Sequence, residues 1–499
     1  MKRIVLTMAA AAIAASSVMA QVSTTDLNKA VNDAKAKIAK SDAEIQDAKK
    51  GIASKTWDNR GKIFSEAYIA PSKNITPGTP TNKETNPLYN LEMLVGAPSE
   101  KKADKDFTIW VYPTCNVYVQ NDVVQFTQAT NPADAKALEK AVEAYRKAAE
   151  LDPKGAYKNS KSAQNAIQNI RKNFQQEGVA AYLLNDYDKA AYYFEQAVSL
   201  NDFDIPAGDT TFNQKQVTYN AALCAYHSKH TDKAKKIFEQ CIKENYQLGS
   251  CYQYIYTIMK ENGQEQEGIK VIKAAYEKNP SEINILYTLI DAYAGQKQYA
   301  DAIEYLDKAI ANDPEKVILY NVKAGMYKGM SQDSKTAYID GLSQISSLKK
   351  EAFRARNNAA ELAAVNAKLD AAKKANDDNK AKFLELQNKA EKCYQTSISK
   401  DAKNFDAIIG AAELYNFDQA VVIDAEKSSI PLSEDKDGKL SDAKDKELKA
   451  AFKKAADYYE KAYSVKPTEQ LPLQNLKSLY YKLGDTENNK RVKDLLEKM

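Results

Sequence analysis

Three consecutive stretches of this chain repeat at a step of 34 residues, and no other feature restricts its fold as tightly. Ala234, Gly268 and Ala302 share one register, Phe238, Ile272 and Leu306 a second, and Cys241, Ala275 and Ala309 a third; Pro280 and Pro314 keep the same step. Small residues recur where two helices must approach closely. Larger apolar residues recur where helices fill the space between them, and proline closes each unit. A unit of this length is one helical hairpin, which cannot bury its apolar face alone and must stack on its neighbours. The expected architecture is therefore all-α and grows by stacking, so a length of 499 residues does not convert into a count of globular domains.

The first twenty residues carry a different signal. Lys2 and Arg3 precede an apolar run from Ile4 to Ala15, and Val18-Met19-Ala20 offers small residues before a cut. Met1–Ala20 reads as a cleaved secretory signal, with Gln21 the first mature residue. The run falls short of the roughly 20 apolar residues that a membrane span needs. No cysteine stands near Ala20 to take a lipid, and no later segment is apolar enough to span. The expectation is an exported, periplasmic or secreted chain without membrane span or lipid anchor. Lys and Arg number 71 against 67 for Asp and Glu, which leaves no strong field to steer nucleic acid or an anionic membrane.

Along the mature chain, Asp26–Lys50 reads as a surface helix with Leu27, Val31, Ile38 and Ile45 on one side. Trp57, Gly61 and Phe64 have the spacing of the first helix of a repeat, so residues 21–70 hold an N-terminal helix and a first repeat helix. Residues 71–130 break the pattern as an irregular insertion. Pro71, Pro77, Pro80, Pro87 and Pro98 interrupt its first part. The β-branched and aromatic run of Phe107–Gln128 predicts a short β-hairpin. Repeats then occupy 131–330, with Ala141, Tyr145, Ala148 and Pro153 in a second helix and Phe174, Gly178, Ala190, Phe194 and Ala197 in the next unit. Ten extra residues around Asp204–Asn213 separate that unit from the exact repeats. Ser331–Asn379 is dense in Ala, Lys, Glu and Asn, lacks proline, and reads as a projecting helical insertion. Residues 380–499 return to repeats and end in a polar capping helix, which a solenoid needs over its last apolar face. A further insertion runs through Asp445.

These residues resemble the exported tetratricopeptide repeat (TPR) proteins of Gram-negative bacteria. The resemblance covers most of the mature chain. It is strongest at Asp186-Tyr187-Asp-Lys-Ala190, at Leu476-Lys-Ser-Leu-Tyr480-Tyr-Lys-Leu-Gly-Asp485, and at Trp57, Gly61 and Phe64. It implies a right-handed superhelix of paired antiparallel helices and a role in protein–protein contact. Thr218 departs from the pattern, standing where the family usually has an aromatic residue.

Candidates for chemistry are few. His227 and His230 are the two histidines, too few for the three or four ligands of a zinc site. No nucleophile motif, phosphate loop or carboxylate pair stands out, so the expectation is a protein that is not an enzyme and uses no metal or cofactor. The five cysteines match no disulfide framework. Packing accounts for most of them, with a bridge among Cys224, Cys241 and Cys251 as the alternative.

The tyrosines, 31 in number, are the better lead. First helices of such a stack line its concave side. The repeat register then turns Tyr182, Tyr219, Leu223, Tyr226, Gln253, Lys260, Tyr287, Asp291 and Asn321 inward, as a groove for a protein or peptide partner. The function read from the sequence is a non-enzymatic scaffold of the cell envelope. Two alternatives remain: a cell-surface glycan- or nutrient-capture component using Trp110 and Tyr112, and a self-assembling envelope protein.

Overall fold

A computed structural model describes residues 23–82, 84, 91–104, 106–152, 154–200, 212–431 and 433–499. The signal segment Met1–Ala20, Pro87, Pro153 and most of the extra residues at Asp204–Asn213 lie outside the described residues. Contacts divide the chain within one helix, into a unit that ends at Ile258 and a unit that begins at Met259.

The first unit opens with α1 (Thr24–Gln46), whose start is fixed by a reciprocal cap: Ser23 accepts from the Asp26 N–H while Asp26 accepts from the Ser23 N–H. The next helix, α2 (Ser54–Ile69), packs against α4 (Ala137–Glu150) although some 70 residues separate their sequences. Gly61 makes this possible. A Cβ there would lie 2.5 Å from Cε1 of Tyr145, whose ring is buried against the α2 backbone.

The intervening insertion is a folded layer. It holds the short helix α3 (Leu91–Val95) and the strands β1 (Glu100–Asp104), β2 (Phe107–Val111), β3 (Cys115–Gln120) and β4 (Val123–Ala129). They form one antiparallel sheet in sequence order. The strand segment expected from Phe107–Gln128 is therefore present, with an additional strand that the apolar pattern did not mark. Glu-Lys-Lys-Ala-Asp of β1 is exposed throughout and shows no alternation. Side chains of the other strands alternate between two faces. Trp110, Val117, Val119 and Val124 bury against Leu27 of α1 and Leu91 and Val95 of α3. Ile109, Tyr118 and Phe126 bury against Ala180 of α5 (Lys161–Leu183), with Tyr118 and Phe126 paired across the strands and stacked at 4.3 Å.

Repeat hairpins follow: α5 with α6 (Tyr187–Ser199), α7 (Gln214–His227) with α8 (Thr231–Lys243), and α9 (Leu248–Glu261), in which the division falls. The second unit continues with α10 (Glu265–Lys278), α11 (Ile283–Gly295) and α12 (Tyr299–Asn312). Every residue of the three repeat registers is buried, from Ala234, Phe238 and Cys241 to Ala302, Leu306 and Ala309. The turns keep the step too. Lys229, Gly263 and Lys297 are 34 apart and all have positive φ, at 66°, 75° and 56°. The following N–H reaches back five residues in each case: His230 to the Ala225 carbonyl at 2.9 Å, Gln264 to Met259 at 2.7 Å, and Gln298 to Tyr293 at 2.9 Å. This left-handed closure satisfies the last carbonyls of a helix and reverses the chain within three residues.

The sixth unit has no break. Its two helices are lengthened, to 38 residues in α13 (Val317–Arg354) and 42 in α14 (Ala359–Lys400). At 1.5 Å per residue these are rods of about 57 and 63 Å, packed along each other as an arm. The seventh first helix runs from α15 (Phe405–Glu413) through a π-helical segment, Leu414–Gln419, into α16 (Ala420–Ser428). Then α17 (Lys439–Val465), α18 (Gln470–Leu483) and α19 (Thr486–Glu497) finish the chain, and α19 buries Val492 and Asn489 beneath a polar exterior.

Candidate functional site

In the first unit, the first helices α5, α7 and α9, with the start of α6, carry a run of aromatic rings. Tyr182 lies edge-on to Tyr187 at 5.6 Å. Tyr187 lies 5.1 Å from His227, His227 lies 5.6 Å from Tyr226, and Tyr226 meets Tyr254 at 5.2 Å. Edge-to-face rings at these separations hold one another in fixed orientations and leave part of each face open. Lys229 brings its ammonium to 5.9 Å from the Tyr226 ring. Partial burial, followed by the Lys229 charge, lowers the pKa of His227.

Of the candidate residues in this unit, Tyr182 and Tyr226 are half-buried in the run, and Gln253 is exposed on α9. Leu223 and Tyr219 require correction as groove residues. Leu223 is only 3% exposed and belongs to the interior. Tyr219 packs edge-on against Phe238 of α8 at 5.9 Å and Tyr246 at 6.0 Å, and burial pushes its hydroxyl pKa up. Tyr219 is consumed in packing α7 against α8 and the turn that follows it. Tyr187, His227 and Tyr254 were not among the sequence candidates. They sit on α6 or at unassigned positions of α7 and α9, so a register counted along first helices alone passes over them.

In the second unit the candidates separate. Lys260 is exposed and pairs with Glu265 at 2.7 Å. Asp291 is exposed on α11. Tyr287 is half-buried with its hydroxyl enclosed and unpartnered, and Lys316 lies over its ring at 4.7 Å. Asn321 is committed to the fold: its amide donates to the Asn404 side chain at 3.0 Å and its carbonyl oxygen accepts from Ser397. It ties α13, α14 and α15 together and is corrected from a groove residue to a structural one.

The two histidines do not act together. His230 turns to Asp188 at 2.8 Å, while His227 belongs to the aromatic run. Among the described residues no group of three or more His, Cys, Asp or Glu side chains is placed to hold a metal. Trp110 and Tyr112 form no aromatic platform. They are 6% and 2% exposed in the sheet core, and the Lys101 ammonium caps Trp110 at 4.1 Å.

A polar network fills the base of the arm. Asp418, in the π-helical segment and 1% exposed, accepts from Lys335 at 2.7 Å and Gln332 at 3.0 Å. Glu426 accepts from Tyr338 at 2.7 Å, and Lys380 and Lys444 lie 2.6 and 2.7 Å from its carboxylate. Burial opposes the charge of Glu426, but hydrogen bonds from Lys380, Lys444 and Tyr338 outweigh it and hold the pKa below the ordinary 4.5. Farther out, Lys349 pairs with Glu434 at 2.7 Å. The arm is therefore anchored on its own unit from Gln332 out to Lys349, close to the end of α13.

A tetratricopeptide repeat family model matches residues 260–324. Among solved structures, a tetratricopeptide repeat protein from Parabacteroides merdae is similar at 12% identity, over 66% of this chain and 97% of that one, with a TM-score of 0.29. A TPR repeats protein from Bacteroides fragilis is similar at 16% identity, over 62% and 98%, with a TM-score of 0.25. YrrB, a TPR protein described as having an unusual peptide-binding site, is similar at 12% identity, over 55% and 97%, with a TM-score of 0.27. No curated protein matches the sequence. The chain carries tetratricopeptide repeats, as the 34-residue step predicts.

Proposed function

We propose that this chain is a non-enzymatic scaffold of the cell envelope that holds a peptide or protein segment against the first helices of its repeats. Repeats of this family build protein-interaction scaffolds. The observation that carries the finer reading is the aromatic run Tyr182–Tyr187–His227–Tyr226–Tyr254. Rings that pre-position one another lose little freedom when a partner arrives, and they present flat apolar area edged by hydroxyls. Lys229, in the turn after α7, and Gln253 on α9 supply exposed polar groups, and in the second unit Lys260 and Asp291 are exposed on first helices. Export is part of the proposal and is supported by the charged, then apolar, then small-residue pattern of Met1–Ala20. No helix among the described residues is long and apolar enough to cross a membrane.

The test combines capture with cross-linking. A photoreactive residue placed at Gln253 should cross-link a partner from the envelope fraction, and Tyr182→Ala with Tyr226→Ala should weaken capture of the same partner by more than about tenfold. Losses of that size follow from truncating aromatic anchors at an interface. Circular dichroism must show that the double variant keeps its helix. Undiminished capture by the folded double variant, with cross-links arising from the arm instead, would overturn the reading.

A further inference from the structure

The repeat pattern is broken at two positions that meet in space. At the first, Cys241 stands where the sibling repeats have Ala275 and Ala309. At the second, Cys251 stands where they have Val217, Ile285 and Leu319, all buried aliphatic residues. Packing alone explains a small residue at the first position. It does not explain a residue smaller than all its siblings at the second. Cys241 lies in the last turns of α8 and Cys251 in the first turn of α9. The turn between them is pinched by two left-handed residues, Asn245 at φ 54° and Gln247 at φ 49°. The Tyr246 N–H returns to the Cys241 carbonyl at 2.9 Å, and the Cys251 N–H to Gln247 at 2.9 Å. Both thiols are fully buried, and they lie close enough for each to shift the other's pKa. Cys251 also reaches the Tyr246 carbonyl at 3.5 Å. The remaining cysteines lie elsewhere: Cys115 on β3, Cys224 on α7 and Cys393 on α14.

We infer that Cys241 and Cys251 are a redox pair that closes to a disulfide, stapling the turn between α8 and α9. In the cell this rests on the proposed export, which places the chain where disulfides persist. The oxidant is a second disulfide, that of a thiol–disulfide exchange catalyst or of glutathione. The Cys241 thiolate attacks one of its sulfurs and expels the other as a thiolate. Cys251, deprotonated, then attacks the Cys241 sulfur and expels the second thiolate. Two protein thiols lose two protons and two electrons, and the oxidant becomes two thiols. The thiol pair supports the order of attack: the neighbouring Cys251 thiol holds the pKa of Cys241 down, while Cys241 and burial push Cys251 up. Complete burial keeps oxidants away from the finished fold, so the bond closes during folding or when the turn opens. Once closed, it ties α9, which carries Tyr254 and Gln253, to the hairpin that carries Tyr226.

The experiment uses the full chain. Protein is reduced, unfolded, and refolded with or without glutathione disulfide. It is then denatured, alkylated and mapped by mass spectrometry without reduction. The expected product links the Cys241 and Cys251 peptides, is two hydrogens lighter, and leaves Cys115, Cys224 and Cys393 alkylated. Amide exchange across the α8–α9 turn should slow by about tenfold or more on oxidation, since the staple restricts local opening. Cys241→Ala with Cys251→Val restores residues that sibling repeats already use. That variant should fold and should show no oxidation-dependent slowing. Alkylation of both cysteines after oxidative refolding, or a link from either to Cys224, would overturn the inference. Protein isolated from its native source separates this claim from the export claim. Retained Met1 with reduced thiols would defeat export while a bond formed with glutathione still supports the pair. A chain starting at Gln21 whose thiols fail to close with glutathione would defeat the pair alone.

Discussion

Gly410→Ala and Gly325→Ala make the same chemical change in two helices of one unit, and the structure requires opposite outcomes. Replacing a helix-interior glycine with alanine gains about 1 kcal/mol of helix propensity. At Gly325, on α13, a new Cβ would meet nothing within 4 Å. That variant should therefore be more stable by close to the full amount. At Gly410, on α15, the Cβ would lie 2.5 Å from Cε1 and 2.6 Å from Oη of Tyr394. Tyr394 is 7% exposed and shares a cluster with Ala390, Ala407, Ala411 and Leu414, so its ring has nowhere to withdraw. Overpacking of this kind costs typically 1–3 kcal/mol, which turns the propensity gain into a net loss of up to about 2 kcal/mol. The two variants should differ by about 1–3 kcal/mol. A stack couples chiefly to nearest neighbours, so global melting blurs the effect. Hydrogen exchange followed by mass spectrometry reads it locally. Protection in α13–α15 should fall in Gly410→Ala and rise or hold in Gly325→Ala. Equal protection in the two variants would refute the reasoning that Gly410 is there for the close approach of Tyr394.

Other outcomes follow from single groups. Thr218 is 3% exposed with a buried hydroxyl that finds no partner; Thr218→Val keeps the shape, removes the unmet polar group and should stabilise the first unit by about 1 kcal/mol in urea melts. Glu426 has a folded pKa below its ordinary 4.5, so its contribution is complete above pH 4.5 and is lost as pH falls through the lower folded value. Amides at the base of α13, α14 and α16 should accordingly lose protection below pH 4.5 before the sheet does, and Glu426→Gln should flatten that response. The proposed export predicts Gln21 as the N-terminal residue of native protein, read by Edman sequencing.

The parts of this fold that the sequence reveals are those where a physical requirement repeats. Small residues at 234, 268 and 302 and large ones at 238, 272 and 306 are visible because each packing contact recurs at 34 residues. The turns recur too, but lysine fills the left-handed position at 229 and 297, and only Gly263 advertises it. The sheet is half legible. β2 to β4 alternate apolar residues between two covered faces, whereas β1 is exposed along its whole length and leaves no apolar pattern in its side chains. The candidate site is the least legible. Counting along first helices selected Tyr182 and Tyr226, which stay half-buried beside other rings, but also Leu223, Tyr219 and Asn321, which the fold uses internally. A helix position fixes the direction in which a side chain leaves the backbone, but not whether the neighbouring hairpin already occupies that space.

The arm shows why a long insertion need not disturb a repeat. Lengthening both helices of one hairpin adds contacts between the two new segments while leaving the hairpin's base in register. Two long helices, the second of them rich in alanine, can slide past each other by a turn at little cost in apolar area. The base of this arm contains groups that forbid such a slip. Moving α13 by one turn would take Lys335 from Asp418 and Tyr338 from Glu426, leaving two buried carboxylates short of partners. Breaking a buried pair costs about 3–5 kcal/mol, far more than forming it gains over an apolar equivalent. The π-helical segment shifts the helical phase at the point where Asp418 turns inward, consistent with the frequent use of such segments to aim a side chain. The buried charges therefore act as a register lock: they add little net stability but make every other alignment of the arm expensive.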